Sequence, residues 1–144
     1  MIKILPPVRH DSMGAGYFGA PRGSRKHNGV DFSCYPESKI LAPVTGEVTK
    51  LGYPYGDERY GGSQHSEPYR YVEVTAQDGK RHRVFYIKPS VEVGEVVVEG
   101  RDVVGYSQDL TKRHGGAMVN HVHYEIMVGS GYESPTKQID GLST

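Results

Sequence analysis

Cysteine is almost absent from this sequence, since Cys34 is the only one among 144 residues. A single cysteine excludes an intramolecular disulfide and a cysteine-rich zinc site. Cys34 follows Asp31 by three residues, and an odd spacing on a strand turns two side chains to opposite faces. We therefore interpret Cys34 as a small buried hydrophobic residue rather than a metal ligand.

An excess of charge of either sign is also missing. Lysine plus arginine and aspartate plus glutamate number 17 each, and no run of basic residues marks a local patch. No net field therefore attracts nucleic acid or an anionic membrane, and nucleic-acid binding is disfavoured. No apolar run approaches the about 20 residues that a membrane-spanning helix needs, so no membrane span is predicted.

Nineteen glycines and nine prolines punctuate short apolar runs at close intervals, a pattern typical of an all-β domain. The length fits one domain, which we predict to be a mostly antiparallel β structure. The Asp-Gly pair in Gln77 to Lys80 predicts a tight hairpin with a type I′ turn. Asp109 to Gly115 is the only predicted helical turn. The predicted strands are Ile40 to Leu51 with a break from Pro43 to Gly46, Tyr69 to Thr75, Arg81 to Lys88, Val96 to Val98, Val103 to Tyr106, and His121 to Val128.

Two segments without regular periodicity remain, from Tyr53 to Pro68 and from Gln108 to Asn120. Loops of about 12 to 15 residues or more are usually functional or disordered. Tyrosines in the first loop could offer flat amphipathic surface as the wall of a groove. The alternative is a solvated loop whose tyrosines cover the edge of the sheet.

Two motifs place side chains that bind metals at separate ends of the chain: His27-Asn28-Gly29-Val30-Asp31 and His121-Val122-His123. Two imidazoles and one carboxylate, with a fourth position left for water, are the parts of an open zinc site. Residues two apart on a strand point to the same side, roughly 6 to 7 Å from one another, so both late histidines could face one metal. If only one of them binds, the other could hydrogen-bond to water or to a substrate carbonyl.

These motifs resemble those of the lysostaphin/LytM-type zinc endopeptidases. The resemblance runs from about Tyr17 to Val128. Between the histidine motifs it includes Ala42-Pro43-Val44-x-Gly46-x-Val48, Val91-x-Val93-Gly94-x-x-Val96 and Gly100-x-x-Val103-x-Gly105. It implies a single LytM-like peptidase domain over residues 1–144, with a core at about 17–128 and short extensions at both ends.

The same resemblance implies the roles of individual residues. Those that match His27, Asp31 and His123 bind zinc in this family, and the one that matches His121 is catalytic. The enzymes cut peptide bonds in the stem peptides or cross-bridges of bacterial peptidoglycan. We therefore expect a zinc-dependent endopeptidase whose partner is a peptidoglycan peptide and which is a monomer.

One position departs from the family pattern. The family has a second catalytic histidine at the end of a strand that reads roughly Tyr-x-His, whereas this chain has Tyr86-Ile87-Lys88. If Tyr86 and Lys88 share a strand face, the ammonium would lie near the metal and could donate to a developing oxyanion. A lysine with an ordinary pKa of about 10.4 is a poor general base. We therefore expect His121 to act as the base, assisted by Lys88 or by a loop histidine such as His114.

Other functional classes remain open. The Lys88 departure supports a degenerate LytM module that binds zinc and cell wall without catalysis, as a regulator or a phage structural component. The valine-glycine repeats also resemble biotinyl and lipoyl carrier domains, but no Met-Lys-Met or Asp-Lys-Ala triplet is present to be modified.

The N-terminal segment Met1 to Pro7 is interrupted by prolines before a signal-peptide core could form. We therefore expect a route to the bacterial cell wall other than classical secretion: release through a lysed or permeabilised membrane, carriage on a phage particle, or processing of a precursor, of which a phage lysin or tail component fits a short chain.

Several further polar residues have less defined roles. Asn28 and Glu125 could orient the metal-binding imidazoles, and strand parity puts Glu125 on the face of His123. His10 and His65 have no partner spacing, and His82 is interpreted as a surface residue.

Overall fold

The computed structural model describes residues 29–54, 69–110 and 120–135, together with the backbone of four two-residue strands between residues 10 and 26. The secondary-structure elements of this part of the chain are β-strands. The strands are β1 His10–Asp11, β2 Gly14–Ala15, β3 Pro21–Arg22, β4 Arg25–Lys26, β5 Val30–Ser33, β6 Lys39–Leu41, β7 Gly46–Gly52, β8 Tyr71–Ala76, β9 Arg81–Phe85, β10 Ile87–Pro89, β11 Val96–Val97, β12 Val103–Ser107, β13 His121–Val128 and β14 Gly131–Glu133.

The strands form one large sheet and smaller ones. The large sheet has the order β11-β7-β8-β9-β13-β14, and β5 also pairs with β13. A three-stranded sheet has the order β10-β12-β6, while β1-β2 and β3-β4 form ribbons. All of these pairings are antiparallel. The prediction of an all-β, antiparallel structure is therefore confirmed.

Strand β13 is the fifth strand in the order of the large sheet, and its side chains alternate between the two faces of the sheet. Its alternating sequence places Val122, Tyr124 and Ile126 in the hydrophobic core, where each is fully buried. The residues between them point to the other face, which carries His121, His123 and Glu125. One edge of β13 pairs with β9, and the other pairs with β5 and then β14. The core thus fixes which face of β13 presents the polar side chains.

The predicted strand from Arg81 to Lys88 is divided at Tyr86. Tyr86 has a φ of 70°, in the left-handed region, so the alternation of side chains is reset at this residue. The backbone amides of Tyr86 and Ile87 both donate to the carbonyl of Arg70, at 2.8 and 3.1 Å. After this break the chain leaves the large sheet, and β10 joins the three-stranded sheet instead.

The hairpin between β8 and β9 is confirmed, but the predicted type I′ turn is wrong. Gly79 has a φ of 86°, whereas Asp78 is not among the described residues with a positive φ. The amide of Gly79 donates to the carbonyl of Ala76 at 2.9 Å, and the amide of Lys80 donates to Asp78 Oδ1 at 3.0 Å. One left-handed glycine after an ordinary turn is the three-residue form of hairpin.

Parts of the predicted loops lie outside the described residues. Residues 55–68 and 111–119 are not described, which includes most of the predicted helical turn together with His65 and His114. Within the described ranges, no helix is long and apolar enough to cross a membrane.

Candidate metal centre

Strands β5 and β13 bring a carboxylate and two imidazoles together. Asp31 lies directly opposite His123 in the register of these strands. His123 Nδ1 is 2.8 Å from Asp31 Oδ1, and His121 Nε2 is 3.7 Å from Asp31 Oδ2. Asp31 and His121 are each only 2% exposed. The two histidines therefore share a strand face, as the spacing predicted, and both approach one buried carboxylate.

The third predicted ligand, His27, lies outside the described residues, as does Asn28. Among the residues that the structure describes, no group of three histidine, cysteine, aspartate or glutamate side chains is arranged to hold a metal. A buried carboxylate oxygen and an imidazole nitrogen that face each other are nevertheless the donors that zinc takes. The described part of the predicted site therefore offers donor types that suit a metal ion.

His123 is held between two carboxylates. Besides its contact with Asp31, its Nε2 atom lies 2.8 Å from Glu125 Oε1. Burial lowers the pKa of His123, but the hydrogen bonds and charges of Asp31 and Glu125 outweigh burial and raise the pKa to about 9. Both ring nitrogens then donate to carboxylates. A metal at Nδ1 would replace one of these protons, because only the deprotonated nitrogen can bind it.

Gly29 allows β5 to approach β13 closely. A Cβ atom at this position would lie 2.2 Å from the carbonyl oxygen of Tyr124 and 2.9 Å from Cε1 of His123. Neither separation is possible without moving the strand or the His123 ring. The glycine of the His27-x-Gly29-x-Asp31 motif is therefore required by packing against the second histidine motif.

His121 packs against an aromatic residue that the sequence did not assign to the site. The ring of Tyr86 meets the ring of His121 edge to face, with centroids 5.5 Å apart. Tyr69 in turn packs edge to face on Tyr86 at 6.5 Å, and its hydroxyl donates to the carbonyl of Asp109 at 2.7 Å. Tyr86 reaches this position through its left-handed backbone, which no local sequence signal predicts.

Lys88 lies on the wall of a groove. It is exposed and stands opposite Tyr106 in the pairing of β10 with β12. The groove has a volume of about 660 Å³, and its lining includes Glu37, Tyr69 and Asp109. Because the strand breaks at Tyr86, Tyr86 and Lys88 do not share one continuous strand face as the sequence suggested. Tyr69 connects this groove to the Tyr86–His121 contact.

An aromatic shelf adjoins His123 on the polar face of the sheet. The ring of Phe85 meets His123 edge to face at 5.1 Å, and Tyr71 stacks on Phe85 at 4.7 Å. The register of β8, β9 and β13 places these three rings in one row. Parity along Arg81 to Phe85 could have identified Phe85, but only the pairing of the strands puts it beside the site.

His82 lies on the opposite face of the sheet, and the expectation that it is a surface residue is wrong. It is 3% exposed, and its Nδ1 atom and the Tyr124 hydroxyl form a hydrogen bond of 2.7 Å. Strand parity turns it toward the core. Cys34 is half-buried and packs against the core, as expected, and burial raises the pKa of its thiol.

Comparisons with known proteins identify relatives of the chain and solved structures that share its fold. No model of a protein family matches the chain. Leukocyte cell-derived chemotaxin-2 of Mus musculus is 32% identical over 122 residues, which span 80% of this chain and 69% of that protein. An uncharacterized metalloprotease of Haemophilus influenzae is 28% identical over 124 residues, but these span only 22% of its length.

Among solved structures, the catalytic domain of the antimicrobial peptidase lysostaphin from Staphylococcus simulans superimposes with a TM-score of 0.63. The match covers 90% of both chains at 24% identity, and it establishes the shared fold. With the identity to the chemotaxin over most of both chains and this shared fold, the chain belongs to the lysostaphin/LytM family.

Proposed function

We propose that this protein is a zinc-dependent endopeptidase that hydrolyses peptide bonds in bacterial peptidoglycan. The observation that carries the proposal is the convergence of His121 and His123 on the buried carboxylate of Asp31. A buried carboxylate beside two imidazoles on rigid strands is the arrangement that an open zinc site needs. The family membership and the fold shared with the lysostaphin catalytic domain support the same reaction.

In this proposal His27, Asp31 and His123 hold the zinc. The ion would supply Lewis-acid polarisation of the scissile carbonyl and of water. His121 is the general base, which accepts a proton from the attacking water and returns it to the leaving amine. Its edge-to-face contact with Tyr86 and its burial hold the ring in one orientation. The groove that contains Lys88 would receive part of the peptide, with the ammonium donating to the oxyanion.

The place of action follows from this substrate. A peptidoglycan peptide is reached at the bacterial cell wall, in the periplasm or outside the cell. A phage-borne lysin, acting as a monomer, fits a domain of this size.

A second function is favoured by two observations. Lys88 stands where the family has a catalytic histidine, and the relative with 32% identity is named as a chemotaxin rather than a peptidase. Under this alternative the domain keeps the zinc site for folding and for binding, and it performs no hydrolysis.

Metal analysis tests the site itself. The purified protein is expected to contain one zinc ion, and His27→Ala, Asp31→Ala and His123→Ala are each expected to lose most of it, because two ligands hold zinc weakly. His121→Ala should retain the metal, which makes it the matched control. Absence of zinc from the unmodified protein, or equal zinc in all four variants, would overturn the assignment.

Release of muropeptides, measured by mass spectrometry on several wall types, separates the two functions. Lys88→Ala should lower kcat by roughly a hundredfold with zinc content unchanged, because an oxyanion donor acts mainly in the transition state. Lys88→His should recover part of this loss. If the unmodified protein binds zinc and wall but releases nothing, and Lys88→His creates activity, the non-catalytic function holds.

A further inference from the structure

A row of charged side chains, buried or half-buried, runs across the large sheet next to the proposed metal centre. The register pairs Glu73 on β8 with Arg83 on β9, and Arg83 with Glu125 on β13. The row lies on the same face as His123, because Glu125 and His123 are two apart on one strand. Glu73 and Glu125 are each 5% exposed.

Short contacts tie the row to the predicted zinc ligand. Glu125 Oε1 accepts from His123 Nε2 at 2.8 Å. Arg83 Nε donates to Glu73 Oε2 at 2.7 Å, and the Thr49 hydroxyl donates to Glu73 Oε1 at 2.8 Å. The Arg83 guanidinium also lies over the ring of Tyr71, 5.0 Å from its centroid. Glu73, at one end of the row, is thus held by Thr49 on β7, and Glu125, at the other end, contacts His123 on β13.

Burying two carboxylates is costly unless each has a charged or hydrogen-bonding partner. Arg83 meets this need for Glu73 directly, and its positive charge also interacts with Glu125 across the strand pair. The short contact of Glu125 is with the ring nitrogen of His123 that faces away from Asp31. A histidine whose distal N–H donates to a carboxylate presents its other nitrogen to a metal in a fixed orientation.

We propose that Glu125 is a positioning residue for zinc binding, and that Arg83, which is paired with Glu73, keeps the Glu125 carboxylate in place. The row fixes Nδ1 of His123 as the atom that faces the metal, and it strengthens that nitrogen as a donor. This inference rests on the proposed zinc site, although it does not depend on whether the protein hydrolyses peptides.

Zinc affinity of the full chain, measured by competition with a chromophoric chelator, tests the proposal. Glu125→Leu removes the acceptor and the charge, and the dissociation constant for zinc should rise about 10- to 100-fold. Glu125→Gln keeps an acceptor oxygen and the size of the side chain, so it should recover part of that loss. The control is Glu133→Gln, because Glu133 lies on the same sheet and pairs with Lys80 instead. The dissociation constant of this variant for zinc should stay within about twofold of that of the unmodified protein.

The tautomer of His123 gives a second measurement, which a merely structural role would not change. Nitrogen-15 NMR of the zinc-loaded protein should show the proton on Nε2 of His123, and this signal should exchange faster with solvent in Glu125→Leu than in Glu125→Gln. Far-UV circular dichroism tests whether each variant is folded. If Glu125→Leu does not fold, Glu125→Gln is compared with the unmodified protein in both measurements.

The outcomes separate this inference from the proposed function. If the unmodified protein binds no zinc, both fall. If it binds zinc and the folded Glu125 variants bind it equally well with an unchanged His123 signal, only the positioning role is overturned.

Discussion

The buried His82 should make the stability of the protein depend on pH. Burial lowers the pKa of His82 from the ordinary 6.5 to about 4, because the effect of burial is larger than the opposing effect of the charges of Asp78 and Glu133. Between these two pH values the unfolded chain binds a proton that the folded chain does not. The free energy of unfolding should therefore be fully retained above about pH 6.5 and fall as the pH drops towards 4. At about 1.4 kcal/mol for each pH unit, the loss is roughly 3 kcal/mol.

The matched variant is His82→Asn, whose amide oxygen can accept from the Tyr124 hydroxyl near the position of Nδ1 and which does not titrate. Urea unfolding followed by far-UV circular dichroism at several pH values from 4 to 7.5 gives the free energy of unfolding of both proteins. The variant should be less stable at neutral pH, because the smaller side chain leaves a cavity, but its stability should fall less on acidification. Other groups, including His123, titrate in both proteins and cancel in the difference. Parallel curves for the two proteins would show that the reasoning about His82 is wrong.

Three further perturbations test individual contacts. Gly29→Ala should lower the free energy of unfolding by about 2 kcal/mol or more and reduce bound zinc, because the new Cβ atom would meet the backbone of β13. The control is Gly131→Ala, which should change neither quantity, because its Cβ atom would meet nothing nearer than 3.8 Å. Removal of the half-exposed ion pair by Lys80→Met should change the free energy of unfolding by less than about 1 kcal/mol in urea titrations, and a larger loss would contradict its peripheral place. Cys34 should react with iodoacetamide at least about tenfold more slowly in the folded protein than in urea, because burial raises the pKa of its thiol; equal rates would contradict its packing.

Local alternation predicted several of the strands, although β5 and β14 were not among those predicted. The predicted strand His121 to Val128 has the same bounds in the structure, because its side chains alternate between an apolar and a polar face over its whole length. Tyr86 could not be predicted in the same way. Its left-handed backbone is held by the carbonyl of Arg70, which directly precedes β8, and a tyrosine carries no preference for that conformation.

The site was predicted from residue types and from a family resemblance, whereas its surroundings depend on strand pairing. Glu125 could be placed beside His123 from parity alone. The placement of Phe85 beside His123 requires the register of β9 against β13. The burial of His82 required knowing which face of β9 meets the core, and a polar residue among basic neighbours gave no sign of it.

The proposed metal centre forms only when β5 and β13 pair in the correct register. Asp31 and His123 are 92 residues apart in the chain, yet they are direct partners across these strands. A slip of one residue would turn Asp31 toward the core and remove it from the imidazoles. Only molecules in which these strands, which come from opposite ends of the chain, have met in the correct register can therefore complete the proposed donor set. Metal retention would distinguish correctly assembled molecules from compact misfolded ones, even where both contain the same amount of β-structure.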